Sequence, residues 1–322
     1  MRAALLVEPE KLVVEDVPDP QPGLGEVRIS VGGVGLCGSD LSVFTGRWKA
    51  PRYPWIMGHE AFGVIDAVGP DVSRERVGQT IVVEPNVACL ACNQCSRGWT
   101  SACAERQSVG MNRSGALAER LVVPGRFAWS IPEMRVTDLV CVEPTAVVLA
   151  ALRRLGTLPP SALIVGVGAQ GLIMSLALLA SGVAVYVEDV NPDRVALATA
   201  LGALATAGDP RRHHLVVDTV GSPSSMAVAL DRVEVGGTLL CLGLDSRPLE
   251  FSAQTLVRQQ VTLRGSLTYD HPGDFEVAIA TIAEGQLAPG RIVTDEYSLD
   301  EVQLAFERSG SARGKTWIRI AG

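Results

Sequence analysis

The 322-residue chain has a 47% hydrophobic fraction, enough to fill two ordinary cores, with 20% charged residues, 5% aromatics and 33 glycines. That is the composition of a Val/Ala/Gly-rich α/β protein, and a net charge of −7 argues against a main role on nucleic acid or an anionic membrane. The longest apolar stretch, Leu172 to Ala180, is too short to span a bilayer.

Only Met1-Arg2 precede the first apolar run, so no secretory signal is expected. Strands are expected at Ala3–Val7, Val13–Val17 and Val27–Val34, separated by the Pro/Gly-rich 18–25 stretch. Ala61–Val68, Thr80–Val83 and Ala118–Val123 continue that style, giving a mostly antiparallel, barrel-like half. From about residue 148, apolar runs of strand length alternate with helical stretches. Strands at 162–165, 184–187, 215–218, 238–242 and 261–267 are interleaved with helices at 171–181, 192–201 and 224–233. Uniformly apolar strands between helices predict a doubly wound parallel sheet covered on both faces. Asn191-Pro192-Asp193 reads as a helix start. The last fifty residues, with helices expected at 273–284 and 299–308, do not extend that sheet and are expected to rejoin the first half. The domains expected are therefore 1–147 plus 269–322, and 148–268. Arg211-Arg212-His213-His214 reads as a solvated turn.

Within the second half, Gly166-Val-Gly168-Ala-Gln170-Gly171 follows an apolar strand and opens a helix. Gly166 permits the tight turn, Gly168 the approach of a pyrophosphate, and Gly171 close packing of helix on strand; Gln170 sits within the loop. At the end of the next strand, Asp189 is placed to accept hydrogen bonds from the adenosine ribose, which favours NAD over NADP. Arg194 pulls the other way, since a guanidinium accepts a phosphate. Gly243 and Ser266, at later strand ends, are expected near the nicotinamide. Between Gly202 and Leu215 the chain is too short for a full crossover, which predicts one missing helix.

Seven cysteines without a secretory signal point to metal rather than disulfides, and to a reducing cytoplasm. Cys89, Cys92, Cys95 and Cys103 can close a tetrahedron around a structural zinc, a better fit to this spacing than an iron–sulfur cluster. The intervening loop is too polar to fold on burial alone, so the metal supplies stability. Cys37-Gly-Ser39-Asp40 and Gly58-His59-Glu60 form a second constellation. Thiolate, imidazole and carboxylate make a three-ligand set with a position left for oxygen, and Asp40 can orient the imidazole.

These motifs resemble the zinc-containing medium-chain dehydrogenase/reductase family over nearly the whole chain, closest in pattern to polyol and amino-alcohol dehydrogenases. The resemblance implies a GroES-like catalytic domain, split in sequence, with a structural zinc lobe, beside a Rossmann domain. It also implies two zinc ions per chain, NAD, a small-molecule substrate (a polyol, cyclitol or amino alcohol) and a homodimer or homotetramer. Cys37, His59 and Glu60 match the catalytic zinc ligands, and Glu143, in an Glu-Pro motif, faces that zinc directly or through water. Ser39 matches the first hydroxyl of the proton relay. Cys141 is expected only to pack. The sequence departs from the family where a relay histidine often follows; Leu41-Ser42-Val43 stands there, leaving Ser42, water or another group for the second step. Asn112 and Arg113 fall in a loop that often lines the substrate pocket. Two rival readings are a zinc-free quinone or enoyl reductase, which needs no Cys37/His59/Glu60 set, and a non-catalytic zinc- and nucleotide-binding protein.

Overall fold

The computed structural model describes residues 1–206 and 208–320. The chain forms two compact units. One holds Met1–Glu143, Asp270–Gly285 and the described chain from Pro289 onward; the other holds Pro144–Tyr269 with Gln286–Ala288.

The first unit is built on a seven-stranded sheet. Its long strand Glu26–Gly35 buries Val27, Ile29 and Val31 while the residues between them are half-buried, the period-two pattern of a strand with one core face. Antiparallel neighbours Glu60–Val68 and Arg120–Pro124 flank it, and Thr80–Val83 and Ala128–Ser130 extend the sheet. The C-terminal Lys315–Arg319 strand also pairs with it, Trp317 opposite Gly35, and Val293–Ser298 runs parallel at the edge. The core contains Leu6, Met57, Ile65, Ile81 and Leu117, all fully buried. The Arg2–Glu8/Lys11–Asp16 hairpin is separate from that sheet.

The second unit carries a six-stranded, all-parallel sheet. Its order is Leu204–Ala205, Ala184–Glu188, Ser161–Val165, His213–Asp218, Val233–Cys241, Thr262–Gly265. The chain winds outward from Ser161–Val165 in both directions, so the switch point lies between that strand and His213–Asp218. This is the fold class expected from the alternating pattern. The helix Ala169–Ala180 is apolar on nearly every side and is buried from Gly171 to Leu178, as an interior helix must be. Helices Val142–Leu155 and Ala253–Gln259 were not anticipated. The first hides its amphipathic pattern inside an almost continuous apolar run, and the second is short. No helix of the described residues is long and apolar enough to cross a membrane.

Among the described residues, no helix lies between Leu204–Ala205 and His213–Asp218. A polar knot stands there instead. Arg232 donates to the Arg211 and Asp209 carbonyls at 2.9 and 2.7 Å and pairs with Glu188, which also accepts from the Thr206 hydroxyl at 2.9 Å. The Arg211 guanidinium lies over the Tyr186 ring at 5.2 Å. The expectation of a simple solvated turn fails at His213, whose side chain is buried at the start of a strand, 4.8 Å from the Tyr186 ring. A strand alternates its side chains, so His213 turns inward while Arg212 and His214 stay exposed.

Candidate metal centre and dinucleotide loop

Local structure brings the first constellation together. The Glu26–Gly35 strand ends two residues before Cys37, and a short helix starts at Gly38. The buried Asp40 carboxylate ties this turn to the neighbouring segment. Its Oδ2 accepts the Cys37 N–H at 3.1 Å, and its Oδ1 accepts the Gly58 N–H at 3.2 Å and lies 3.2 Å from His59 Nδ1. With Nδ1 protonated toward Asp40, the His59 Nε2 lone pair is free to ligate. Glu60 opens the next strand directly opposite Gly35.

One ligand atom each from Cys37, His59 and Glu60 lies within 4.8 Å of the others. Zinc takes its ligands at about 2.0–2.3 Å, so donors of one ion span no more than roughly twice that distance. The donor set and its spread fit zinc. Burial opposes a charge on His59, but Asp40 and Cys37 outweigh it and raise its pKa well above the usual value; a metal displaces that proton. Glu143 is buried beside these groups but stands outside the closed set, so the expected fourth ligand is not part of it. Burial, reinforced by Glu60 and Asp40 and opposed by His59 and Lys315, pushes the Glu143 carboxyl up to about 7.

Lys315 belongs to this cluster and sequence reading missed it. It is fully buried on the returning C-terminal strand, pairs with Glu60 Oε2, and donates to the Leu36 carbonyl at 3.3 Å. No local signal marked it, because the strand Lys315–Arg319 also carries Thr316 and Arg319. Ser39 Oγ is 3.9 Å from Cys37 Sγ. The Ser42 hydroxyl donates to the Gly38 carbonyl at 3.0 Å, which commits its proton to the helix backbone. Asn112 and Arg113 are taken up elsewhere. Asn112 accepts the Ser108 N–H at 2.6 Å, and Arg113 pairs with Glu26 at 2.6 Å. Arg113 lines a cleft of about 430 Å³ with Met1, Leu5 and Trp55, which contains none of the three ligand candidates. Cys141 is buried, its thiol pushed up to about 12 by burial, as a packing residue would be.

Cys89, Cys92, Cys95 and Cys103 also gather within 4.8 Å, with Sγ–Sγ separations of 4.0 Å (Cys89–Cys95), 3.5 Å (Cys92–Cys95) and 3.9 Å (Cys92–Cys103). Backbone N–H groups of Ala91 and Cys92 donate to Cys89 Sγ and lower its pKa, favouring the thiolate that zinc needs. The lobe is fastened by Thr100, which accepts the His271 N–H at 2.6 Å, and by Ser101, which donates to Asp270 at 3.0 Å.

In the parallel-sheet unit, Gly166 adopts φ +87°, and its carbonyl lies so near Gly171 that a Cβ there would meet it at 2.0 Å. Loop and helix start are thus in contact. Asp189 spans the loop and the strand end. Its Oδ2 accepts the Val167 N–H at 2.7 Å, and its Oδ1 accepts the Asn191 N–H at 2.8 Å. Each oxygen keeps a lone pair for a ribose hydroxyl. Asn191 caps the following helix through Asp193 N–H at 2.9 Å. The Arg194 guanidinium is 4.0 Å from where a Gly168 Cβ would stand. Gln170 Nε2 is buried with no hydrogen-bond partner among the described residues, an orphan donor that a bound polar group would satisfy. Gly243 lies against the Val220–Gly221 backbone, and Ser266 accepts from Arg154 at 3.0 Å. Both follow the carboxyl ends of their strands.

Residues 23–133 match the alcohol dehydrogenase GroES-like domain and residues 169–284 the zinc-binding dehydrogenase domain. The alcohol dehydrogenase of Moraxella sp. TAE123 is 31% identical, with 99% of each chain covered. The sorbitol dehydrogenase of Bacillus subtilis is 30% identical over 96% of this chain and 93% of the relative. Among solved structures, the Escherichia coli CFT073 alcohol dehydrogenase RspB, in complex with NADH, aligns with a TM-score of 0.91 at 27% identity over 99% of both chains. The chain belongs to the zinc-containing medium-chain dehydrogenase/reductase family.

Proposed function

We propose that this chain is a zinc-dependent dehydrogenase that transfers hydride between NAD(H) and a secondary alcohol or its ketone. The substrate class is a polyol, cyclitol or amino alcohol. The observation that carries this reading is the closure of Cys37, His59 and Glu60 into one buried set within 4.8 Å. Relatives named sorbitol dehydrogenase and D-altritol 5-dehydrogenase favour a polyhydroxylated substrate.

When bound, zinc supplies a Lewis acid for the substrate oxygen and the nicotinamide supplies the hydride acceptor. The chain's own residues do the remainder. Cys37, His59 and Glu60 hold the metal, Asp40 orients His59, and Glu143 adds an acidic wall. Ser39 Oγ accepts the alcohol proton and passes it to water, since Ser42 is engaged with Gly38. Gly166, Gly168, Gln170 and Gly171 receive the pyrophosphate, Asp189 the ribose, and Gly243 and Ser266 the nicotinamide end. The unit holding Cys37, His59, Glu60 and the four-cysteine lobe is the catalytic domain and the parallel-sheet unit binds the dinucleotide. The four-cysteine lobe holds a structural zinc, and seven free thiols suit a reducing cytoplasm. Homo-oligomerisation is supported by the edge strand Thr262–Gly265, exposed throughout and paired on one side only.

The test combines metal analysis with NADH absorbance across a polyol panel, NADP serving as comparison. Two zinc ions per chain and turnover that vanishes in Cys37→Ser are expected. One zinc and no turnover on any substrate would favour a non-catalytic binder, and turnover untouched by Cys37→Ser a zinc-free reductase.

A further inference from the structure

Lys315 is buried, unlike Lys11 and Lys49. Withdrawing an ammonium and a carboxylate from water is costly, and apolar replacements of such pairs are often as stable or more so. Stability alone is therefore a poor reason for a Lys315–Glu60 pair, and its position suggests another. The ammonium is anchored on the Leu36 carbonyl, next in sequence to Cys37, and it takes Oε2 of Glu60. Gly35 packs against the pair. A Cβ at Gly35 would come within 2.4 Å of Glu60 Oε2, 2.8 Å of Lys315 Cε and 2.9 Å of the Val140 carbonyl. Glu60 thus belongs both to this ion pair and to the candidate ligand set.

We infer that Lys315 is a positioning residue of the metal centre, sharing the Glu60 carboxylate with the metal and limiting how tightly Glu60 grips it. The inference rests on the metal site proposed above. Without the ammonium, the buried carboxylate has the metal as its main counter-charge. Lys315→Met then lowers the stability of the metal-free protein while slowing release of the metal. A merely structural lysine would move both in the unfavourable direction.

The experiment uses the purified holoenzyme and its cobalt-exchanged form, following metal transfer to a chelator and the visible cobalt spectrum. Lys315→Met should release metal about tenfold more slowly, at the lower end of effects seen for groups behind metal ligands, and should alter the cobalt bands. Lys315→Arg, which keeps the cation, should stay within about twofold of the parent, well below that range. In a Glu60→Gln background Lys315→Met should change neither readout, and this comparison stands even if the single Lys315→Met chain cannot be purified. Unchanged or faster release in Lys315→Met, or the same spectral change with Glu60→Gln present, would overturn the inference. A parent chain that takes up metal at the cysteine lobe alone refutes the catalytic site and the inference with it. Normal uptake with the wrong kinetics refutes the inference alone.

Discussion

Asp40 shows how much one side chain settles. It accepts from the Cys37 and Gly58 backbones and orients His59, so it holds two motifs in register. Asp40→Asn leaves the shape but removes the charge behind the imidazole, and zinc affinity at this site should fall roughly 10–100-fold. Competition with a chromogenic chelator measures it, with the four-cysteine zinc as internal control. Asp189→Ala should lower kcat/KM for NAD by roughly tenfold or more, from the loss of charge-assisted bonds to a ribose worth about 1.5–3 kcal/mol. Steady-state kinetics with both nucleotides would show it, and an equal loss for NADP would argue against a ribose contact. Cys37, His59 and Asp189 were legible in the sequence because each lies in a short motif with its own mechanical logic. Lys315 was not, because its partner lies 255 residues away and nothing local distinguishes it from a surface lysine.

Among the elements, the cysteine lobe is the simplest to test. Its chain is polar, and its two small helices, Asn93–Ser96 and the 3-10 helix Thr100–Ala102, are about a single turn each. Cys95→Ser should abolish the second zinc and open the loop to proteolysis near Arg97, while a protected loop would mean that the metal is dispensable for its fold. The edge beside Leu204–Ala205 offers a pH test. Burial first, then Arg232 and Arg211, lower the His213 pKa below its ordinary 6.5, so the ring is neutral in the fold. An unfolded histidine binds its proton at higher pH than the folded one. Its contribution to stability is therefore complete above about 6.5, the ordinary histidine value, and is lost as pH falls from there toward the depressed folded value. His213→Leu should flatten the stability-versus-pH curve across that window, as measured by urea denaturation. The alternating strands and helices of this unit were legible from hydrophobic period. The inward turn of His213 was hidden, because a run of four polar residues reads as solvent-facing until a strand is known to begin within it.

For the whole molecule, NAD should act as a stabilising ligand. At a hundred times its Kd it adds about 2.7 kcal/mol to the state that binds it, which thermal unfolding would register as a raised Tm. The absence of any shift would undermine the nucleotide site independently of turnover. Composition, hydrophobic period and motif spacing by themselves determined the two fold classes and the grouping of the ligand residues, because these depend on neighbours a few positions apart, and the motifs' resemblance to a known family supplied the rest. Tertiary structure alone decided which distant residues complete the site. The return of the C-terminal strand beside Glu26–Gly35 carries Lys315 to Glu60, and Glu143 is left outside the closed ligand set. Those outcomes depend on strand pairing across hundreds of residues and on the space beside Gly35, which no local pattern encodes.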